Sequence, residues 1–423
     1  MALTSGRESL RLPLVWSVLR HARFTVVWLG ELLSITGDVA YTVAFAWLVL
    51  SVTDSPALLA GILVAGSIPR GVLLLVGGAI TDRFRARAVM FCAHIARGVL
   101  VSLLWLAVVT GRQHTWQLFT ISITFGTADA FFWPASGTIV PSLVDDERLL
   151  PKANALLSLG EQTARLVGPI LGGVLVAAAG PAAAIGVDAL TFLIAAGTVL
   201  AAPRTARDNT PVSIRVVARE IRAGLSYAWR SVTVRVILAV VSAATLSYAG
   251  LFGIGLPALA RTLPHGAVAL GAIVSAWGLG QFLGALSAGI TGLPARWGVL
   301  IIGMACCEAV GFTLVGFVPN LAVVVILLAL LGFGTSYSSD VALPTWLQTN
   351  TPTEFLGRVN SIVDLPRVAL EPVSLAIMGL LATHGPQWIF LFAASPLLAI
   401  AILLLASRTA RTLRVSTGSK SLS

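Results

Sequence analysis

The chain has 423 residues, of which 57% are hydrophobic and 11% charged, with a formal net charge of +10 at pH 7. Soluble domains carry about 25% charged residues, and a soluble core of this size does not absorb so much apolar surface. Cys92, Cys306 and Cys307 all fall in apolar runs, which excludes a disulfide framework or a metal-ligand spacing.

Runs of about 20 apolar residues, each able to cross a hydrocarbon core roughly 30 Å thick, recur along the whole length. After a basic N-terminal segment, 1–23, six spans are predicted at 24–50, 57–80, 89–110, 115–140, 155–179 and 181–202. A connector follows at 203–235. There Ile214, Val217, Ile221, Leu225 and Ala228 repeat at helical spacing among arginines, the pattern of a basic amphipathic helix on a membrane surface. Six more spans are predicted at 236–260, 267–291, 297–318, 320–345, 359–383 and 386–406, before a basic tail at 407–423. The N-terminus lacks a short apolar core with a small-residue cleavage site, so the first span is expected to be retained.

The basic residues explain the net charge. They gather at the N-terminus (Arg7, Arg11, Arg20, Arg23), in the 81–88 loop, at Arg148 and Lys152, through 203–235, at Arg296 and Arg358, and in the tail. Only Arg112 and Arg261 lie in connectors on the opposite side. The positive-inside rule then puts both termini in the cytoplasm, with the chain crossing a membrane many times. The basicity is topological, and no nucleic-acid partner is expected.

The predicted fold is an all-α membrane protein of about twelve transmembrane helices in two six-helix halves, 24–202 and 236–406. A weak repeat supports the division. Gly61, Ile80 and Thr81 recur as Gly271, Ile290 and Thr291; Lys152 and Asn154 recur as Arg358 and Asn360. Such repeats enclose a cavity near the bilayer midplane and rock one half against the other.

Charges inside spans cost about 2.5–3.5 kcal/mol each on insertion scales, which marks them as functional or paired. Glu161 with Arg165, Asp364 with Arg367, and Arg367 with Glu371 have helical spacing for ion pairs. Asp38 lies roughly 20 Å into its span at 1.5 Å per residue, and Asp129 and Glu308 are similarly central. With the shallower Glu31, these are the candidate proton carriers, suited to take up and release a proton in each cycle. Equally, each can pair with a cation on another span, and Arg70 and Arg97 are suitable partners. The aromatics Trp47, Phe131, Phe132, Trp277 and Tyr337 are candidates for lining a cavity. There is no phosphate-binding loop for ATP, and His94 and His384 are isolated in sequence, so no catalytic group, metal site or cofactor is predicted.

Between the second and third spans, Gly78, Asp82, Arg83 and Arg87 match the signature loop of the major facilitator superfamily, though Arg85 replaces its second glycine and Ala86 one of its basic residues. In the fifth span Gly168-Pro169 and Gly172-Gly173 resemble the core of the motif typical of its drug:proton antiporters. Leu29 to Asp38, Gln348 to Pro352 and Gly357 to Ser361 resemble the bacterial branch containing macrolide and enterobactin exporters. The resemblance implies a transporter, not an enzyme. It implies proton-driven export of an amphiphilic drug, macrolide-like metabolite or siderophore by alternating access, with Asp82 and its arginines holding the inner gate and a monomer as the working unit. Uptake of a nutrient by proton symport is the alternative; a membrane-embedded enzyme or scramblase is more remote. Many drug antiporters carry an arginine in the fourth span, whereas here its only charge is Asp129.

Overall fold

The computed structural model describes residues 18–83, 85–144, 146–203, 232–291, 297–318, 320–340, 343 and 353–406, with side chains for all of these except 75–83, 147, 232, 233, 297, 339, 340 and 353–361. The amphipathic stretch of the central connector and the tail at 407–423 lie outside the described residues. The first half comprises α1 (Ala22–Thr53), α2 (Pro56–Arg83), α3 (Ala86–Val109), α4 (Thr115–Ile139), α5 (Leu150–Ala179) and α6 (Pro181–Val199). In the second, α7 starts as Val232–Gly250, passes a π turn at Leu251–Gly255 and ends as Leu256–Thr262. It is followed by α8 (Gly266–Thr291), α9 (Trp297–Phe317), α10 (Leu321–Thr335, running into a π turn at Ser336–Asp340), α11 (Thr353–Leu381) and α12 (Pro386–Ala406).

Each predicted span falls on one of these helices, and 11 of them are long and apolar enough to cross a membrane. The exception is α4, whose apolar run is broken by threonines and serines. Thr120, Thr124 and Thr127 donate within the helix to the carbonyls of Trp116, Thr120 and Ile123 at 2.9, 2.6 and 2.8 Å, and Ser122 donates to the Ile62 carbonyl of α2 at 2.7 Å. That back-bonding removes the need for water and lets a polar sequence stay at bilayer depth. The hairpins from α3 to α4 and from α5 to α6 are short because Gly111 and Gly180 take φ of 65° and 77°, a backbone region that side chains disfavour.

Packing follows the repeat. In the first half α1 lies on α5 and α6, α2 on α4, and α3 on α4 and α6; in the second, α7 lies on α11 and α12, α8 on α10, and α9 on α12 and α10. The halves meet chiefly through α5 against α8 and α2 against α11, two contacts that exchange when the halves are swapped. Outward faces carry large apolar side chains such as Leu103, Val109, Leu330 and Ile402, as lipid-facing surfaces require.

No hydrophobic force drives helices together within lipid, so close approach of backbones must do it. Glycines supply that approach at the main crossings. A Cβ on Gly126 would collide with the Gly66 carbonyl where α4 crosses α2. At the matching crossing of α8 and α10, a Cβ on Gly280 or Gly284 would strike the Ala329 or Phe333 carbonyl. Gly126→Ala should therefore lower the unfolding midpoint in detergent by the equivalent of about 1–3 kcal/mol. Gly137→Ala, in the same helix but with nothing within 4 Å of an added Cβ, should leave that midpoint unchanged or slightly raised. An equal effect at both positions would remove the crossing from the account.

Candidate functional site

Between the halves lies a cavity of about 660 Å³, within the range of small-molecule sites. Its walls are aromatic and come from both halves. Tyr41 of α1 stacks on Phe45 and on Phe125 of α4, with 5.3 Å between centroids in each case. Across the cavity, Tyr248 of α7 lies 5.7 Å from Trp277 of α8, and Phe252 lies 5.1 Å from the same ring. Phe252 sits in the π turn of α7, a local unwinding that re-aims side chains. A second space of about 800 Å³ adjoins the first and shares Arg165, Tyr248, Phe252, Thr335 and Glu371 with it.

Of the predicted aromatics only Trp277 lines the cavity. Trp47 packs over Gly266, where its ring would lie 2.7 Å from an added Cβ. Phe132 turns away toward α3 and stands 5.0 Å from His94. Tyr337 stacks on Phe333 at 6.2 Å and bonds Thr291, and Phe131 does not border the space. Side-chain direction around each helix decides these placements. A signal for the true lining was nevertheless present: Tyr41 and Phe45 recur as Tyr248 and Phe252, one such pair per half.

The wall of the first half carries a compact set of charges. Arg97 of α3 is 2% exposed and pairs with Asp129 of α4. Its guanidinium lies 4.5 Å from the centre of the Phe132 ring, 5.6 Å from that of Phe192 and 5.8 Å from that of Phe125, a cation enclosed by three aromatic rings. Asp38 of α1 and Asp188 of α6 lie within electrostatic reach of the same guanidinium and of each other. Thr191 donates to Asp188 Oδ1 at 3.3 Å, while Oδ2 is buried with no hydrogen-bond partner among the described residues. Gly37 permits the assembly, because a Cβ there would lie 2.9 Å from Asp188 Oδ1. Thus Asp38 and Asp129, both predicted, belong to one cluster, and Asp188 completes it. Asp188 is not among the acids predicted from the sequence, although it too is a charge inside an apolar span.

Elsewhere the predicted acids have different surroundings. Glu31 meets buried His94 at 2.9 Å, so a histidine isolated in sequence is paired in space. Glu308 accepts from Tyr248 at 2.6 Å and from Thr335. Asp364 and Arg367 pair as expected at 3.0 Å. Two other expectations are corrected. Glu371 bonds Arg70 of α2, across the interface between halves, rather than Arg367 on its own helix. Among the described residues Glu161 and Arg165 form no ion pair, and Arg165 borders both spaces instead. Packing against a second helix overrides helical spacing at Glu371, because α2 brings Arg70 within reach of it.

The motif on α5 serves two contacts. Cβ atoms on Gly168 and Gly172 would lie 2.8 Å from Val39 Cβ and 2.5 Å from the Ala40 carbonyl of α1. Gly173 instead faces α8 of the other half, 3.2 Å from Gly271 Cα by the same measure, and a Cβ on Gly271 would strike the Pro169 carbonyl. In the signature loop, the side chains of Gly78, Asp82 and Arg83 lie outside the described residues. Arg87 donates to the Ala202 carbonyl at 2.7 Å, tying the start of α3 to the end of α6.

A family model described as transmembrane secretion effector matches residues 14–413. The chain belongs to this family. It is a membrane transporter of the major facilitator type. One relative is the enterobactin exporter EntS of Shigella boydii serotype 4, 27% identical over 361 residues that make up 85% of each chain. Among solved structures, the POT family transporter PepTSo superposes with a TM-score of 0.70 at 12% identity, covering 92% of this chain and 98% of that one. A bacterial homologue of the iron transporter ferroportin in its inward-facing state gives 0.65 at 18% identity, covering 91% and 98%. These two likenesses establish the shared fold.

The cluster around Arg97 makes a clear energetic demand. Arg97→Gln leaves its carboxylates without a cation and should destabilise the protein by about 3–5 kcal/mol in detergent unfolding. Adding Asp129→Asn should recover part of that loss, since the stranded charge is removed with its partner. Additive losses in the double variant would mean that the two groups are not coupled.

Proposed function

We propose that this transporter exports an amphiphilic organic compound from a bacterial cytoplasm in exchange for protons, by alternating access. The observation that carries the reading is the crowding of Asp38, Asp129 and Asp188 around the single guanidinium of Arg97. Three carboxylates against one cation leave an excess of negative charge at bilayer depth, and bound protons offset it. Asp129 also borders the cavity, so a solute and a proton act on the same wall. The kinship with enterobactin exporters supports export, and the aromatic walls suit an amphiphile such as a drug, a macrolide-like metabolite or a siderophore.

In this reading Asp38 and Asp129 carry the protons, and the proton gradient is the energy source with no cofactor. Glu31 and Glu308, each held by neighbours outside the Arg97 cluster, have a supporting role. The Arg70–Glu371 pair and the contacts of α5 with α8 are the joints that must yield as the halves rock. The basic loop containing Asp82 and Arg83 faces the cytoplasm and latches the inner side, with Arg87 fixing its base to α6. A monomer suffices, because both halves of the cavity come from one chain.

Everted vesicles energised by respiration test the proposal. Adding substrate should dissipate the pH gradient, and collapsing the gradient should stop accumulation. Asp38→Asn and Asp129→Asn should each lower gradient-driven export by about a hundredfold, the scale expected for loss of an essential proton-transfer group, while Glu31→Gln and Glu308→Gln reduce it less. Export that persists without a proton gradient would exclude proton coupling, and normal export in either Asp variant would remove that residue from the path.

A further inference from the structure

The carboxylates around the two spaces are already engaged. Asp129 pairs with Arg97 and Glu371 with Arg70, while Glu308 accepts from Tyr248 and Thr335. On the cationic side, Arg70 is taken by Glu371 and Arg367 by Asp364. Arg165 is different. It stands on α5, is exposed to both spaces and borders each of them. Among the described residues no carboxylate pairs with it, and Glu161, one turn away on the same helix, borders neither space.

The backbone at this point is held in place. A Cβ on Gly278 of α8 would lie 3.1 Å from the Arg165 carbonyl and 3.5 Å from Leu166 Cα, so α5 and α8 touch at the level of Arg165. The residue therefore sits where the two halves meet, with its charge directed into space rather than into the joint. A cation at this depth without a counter-ion is costly, and a planar guanidinium is matched by a carboxylate, sulfonate or phosphate that it can bind through two parallel hydrogen bonds. Around it, Tyr41, Phe125, Tyr248, Phe252 and Trp277 offer ring faces and edges for an aromatic body.

We infer that the cavity takes aromatic compounds bearing an anionic group, and that Arg165 is the specificity-determining residue that receives the anion. The inference rests on the proposal that this cavity is the transport site. It narrows the substrate from amphiphiles in general to aromatic anions. A cationic amphiphile would meet repulsion from Arg165, while the carboxylates that border the two spaces, Asp129, Glu371 and Glu308, already have partners. An anion gains a partner without displacing one.

Equilibrium binding tests this with three probes that differ in charge: 1-pyrenebutyrate, its methyl ester, and the corresponding pyrenylbutyl-trimethylammonium. The full chain is held in nanodiscs of zwitterionic lipid, with binding to empty nanodiscs subtracted. The carboxylate should bind about tenfold more tightly than the ester, the scale of one charge-assisted hydrogen-bonding pair, and the ammonium should bind more weakly than the ester. Arg165→Gln should bring the carboxylate down to the level of the ester and leave the ester unchanged. Arg165→Lys, which keeps the charge but loses the paired geometry, should retain a reduced preference. That variant carries the test if the glutamine variant does not fold, and an undiminished preference in it counts against the inference.

Equal or tighter binding of the ester or the ammonium by the unmodified chain would overturn the assignment. So would a carboxylate preference that survives Arg165→Gln, or no binding of any of the three probes. Because binding is measured without a gradient, proton coupling does not enter the result. Loss of gradient-driven export with the anion preference intact would strike the transport reading alone.

Discussion

A guanidinium at the depth of a bilayer cannot be left without counter-charge, and Arg97 obtains its counter-charge from three other helices. Asp129 pairs with it directly from α4, while Asp38 of α1 and Asp188 of α6 flank it. The phenyl rings of Phe125, Phe132 and Phe192 exclude lipid and water from its faces. This single requirement draws α1, α3, α4 and α6 to one point, and it shapes the wall of the cavity. It also leaves more acid than base in that wall. The same arrangement that makes the first half cohere therefore supplies the groups through which proton movement is proposed to act.

The second half meets the same depth with a different chemistry. There, among the described residues, Glu308 accepts from the hydroxyls of Tyr248 and Thr335. The two halves share a path of the chain and a Tyr–Phe pair facing the cavity, yet Arg97 and its carboxylates belong to the first, while Glu308 of the second accepts from hydroxyls. Arg70 and Glu371 then join the halves across the cavity, where an ion pair can break without exposing either charge to lipid.

Small residues set how the halves meet. Gly173 and Gly271 let α5 and α8 touch backbone to backbone, so the contact is tight without interlocked side chains. Beyond this crossing, Val43 and Ala60 of the first half share a buried core with Leu251, Leu256 and Leu375 of the second. Within each half, by contrast, Gly168 and Gly172 hold α5 on α1, and the deeply buried Phe24, Phe192, Phe312 and Phe390 fix the bundle cores.

Much of this architecture was legible in the residues alone. Hydropathy and length located the twelve helices, since a lipid-crossing segment must be apolar for about 20 residues whatever it packs against. The repeat, the signature loop and the glycine-proline run on α5 identified the superfamily. The partners of the charges were not legible. Arg70 with Glu371, Arg97 with Asp129, and Glu31 with His94 are 301, 32 and 63 residues apart, and no local spacing announces a meeting between helices. Local spacing predicted Arg367 with Glu371 and Glu161 with Arg165; contact with α2 overrode the first, and in the second Arg165 borders the cavity without pairing among the described residues. The sequence by itself determined that this chain spans a membrane and which residues carry charge into it. Only the tertiary structure decided which charges meet and which rings face the cavity, because the rotation of each helix about its axis is set by its neighbours.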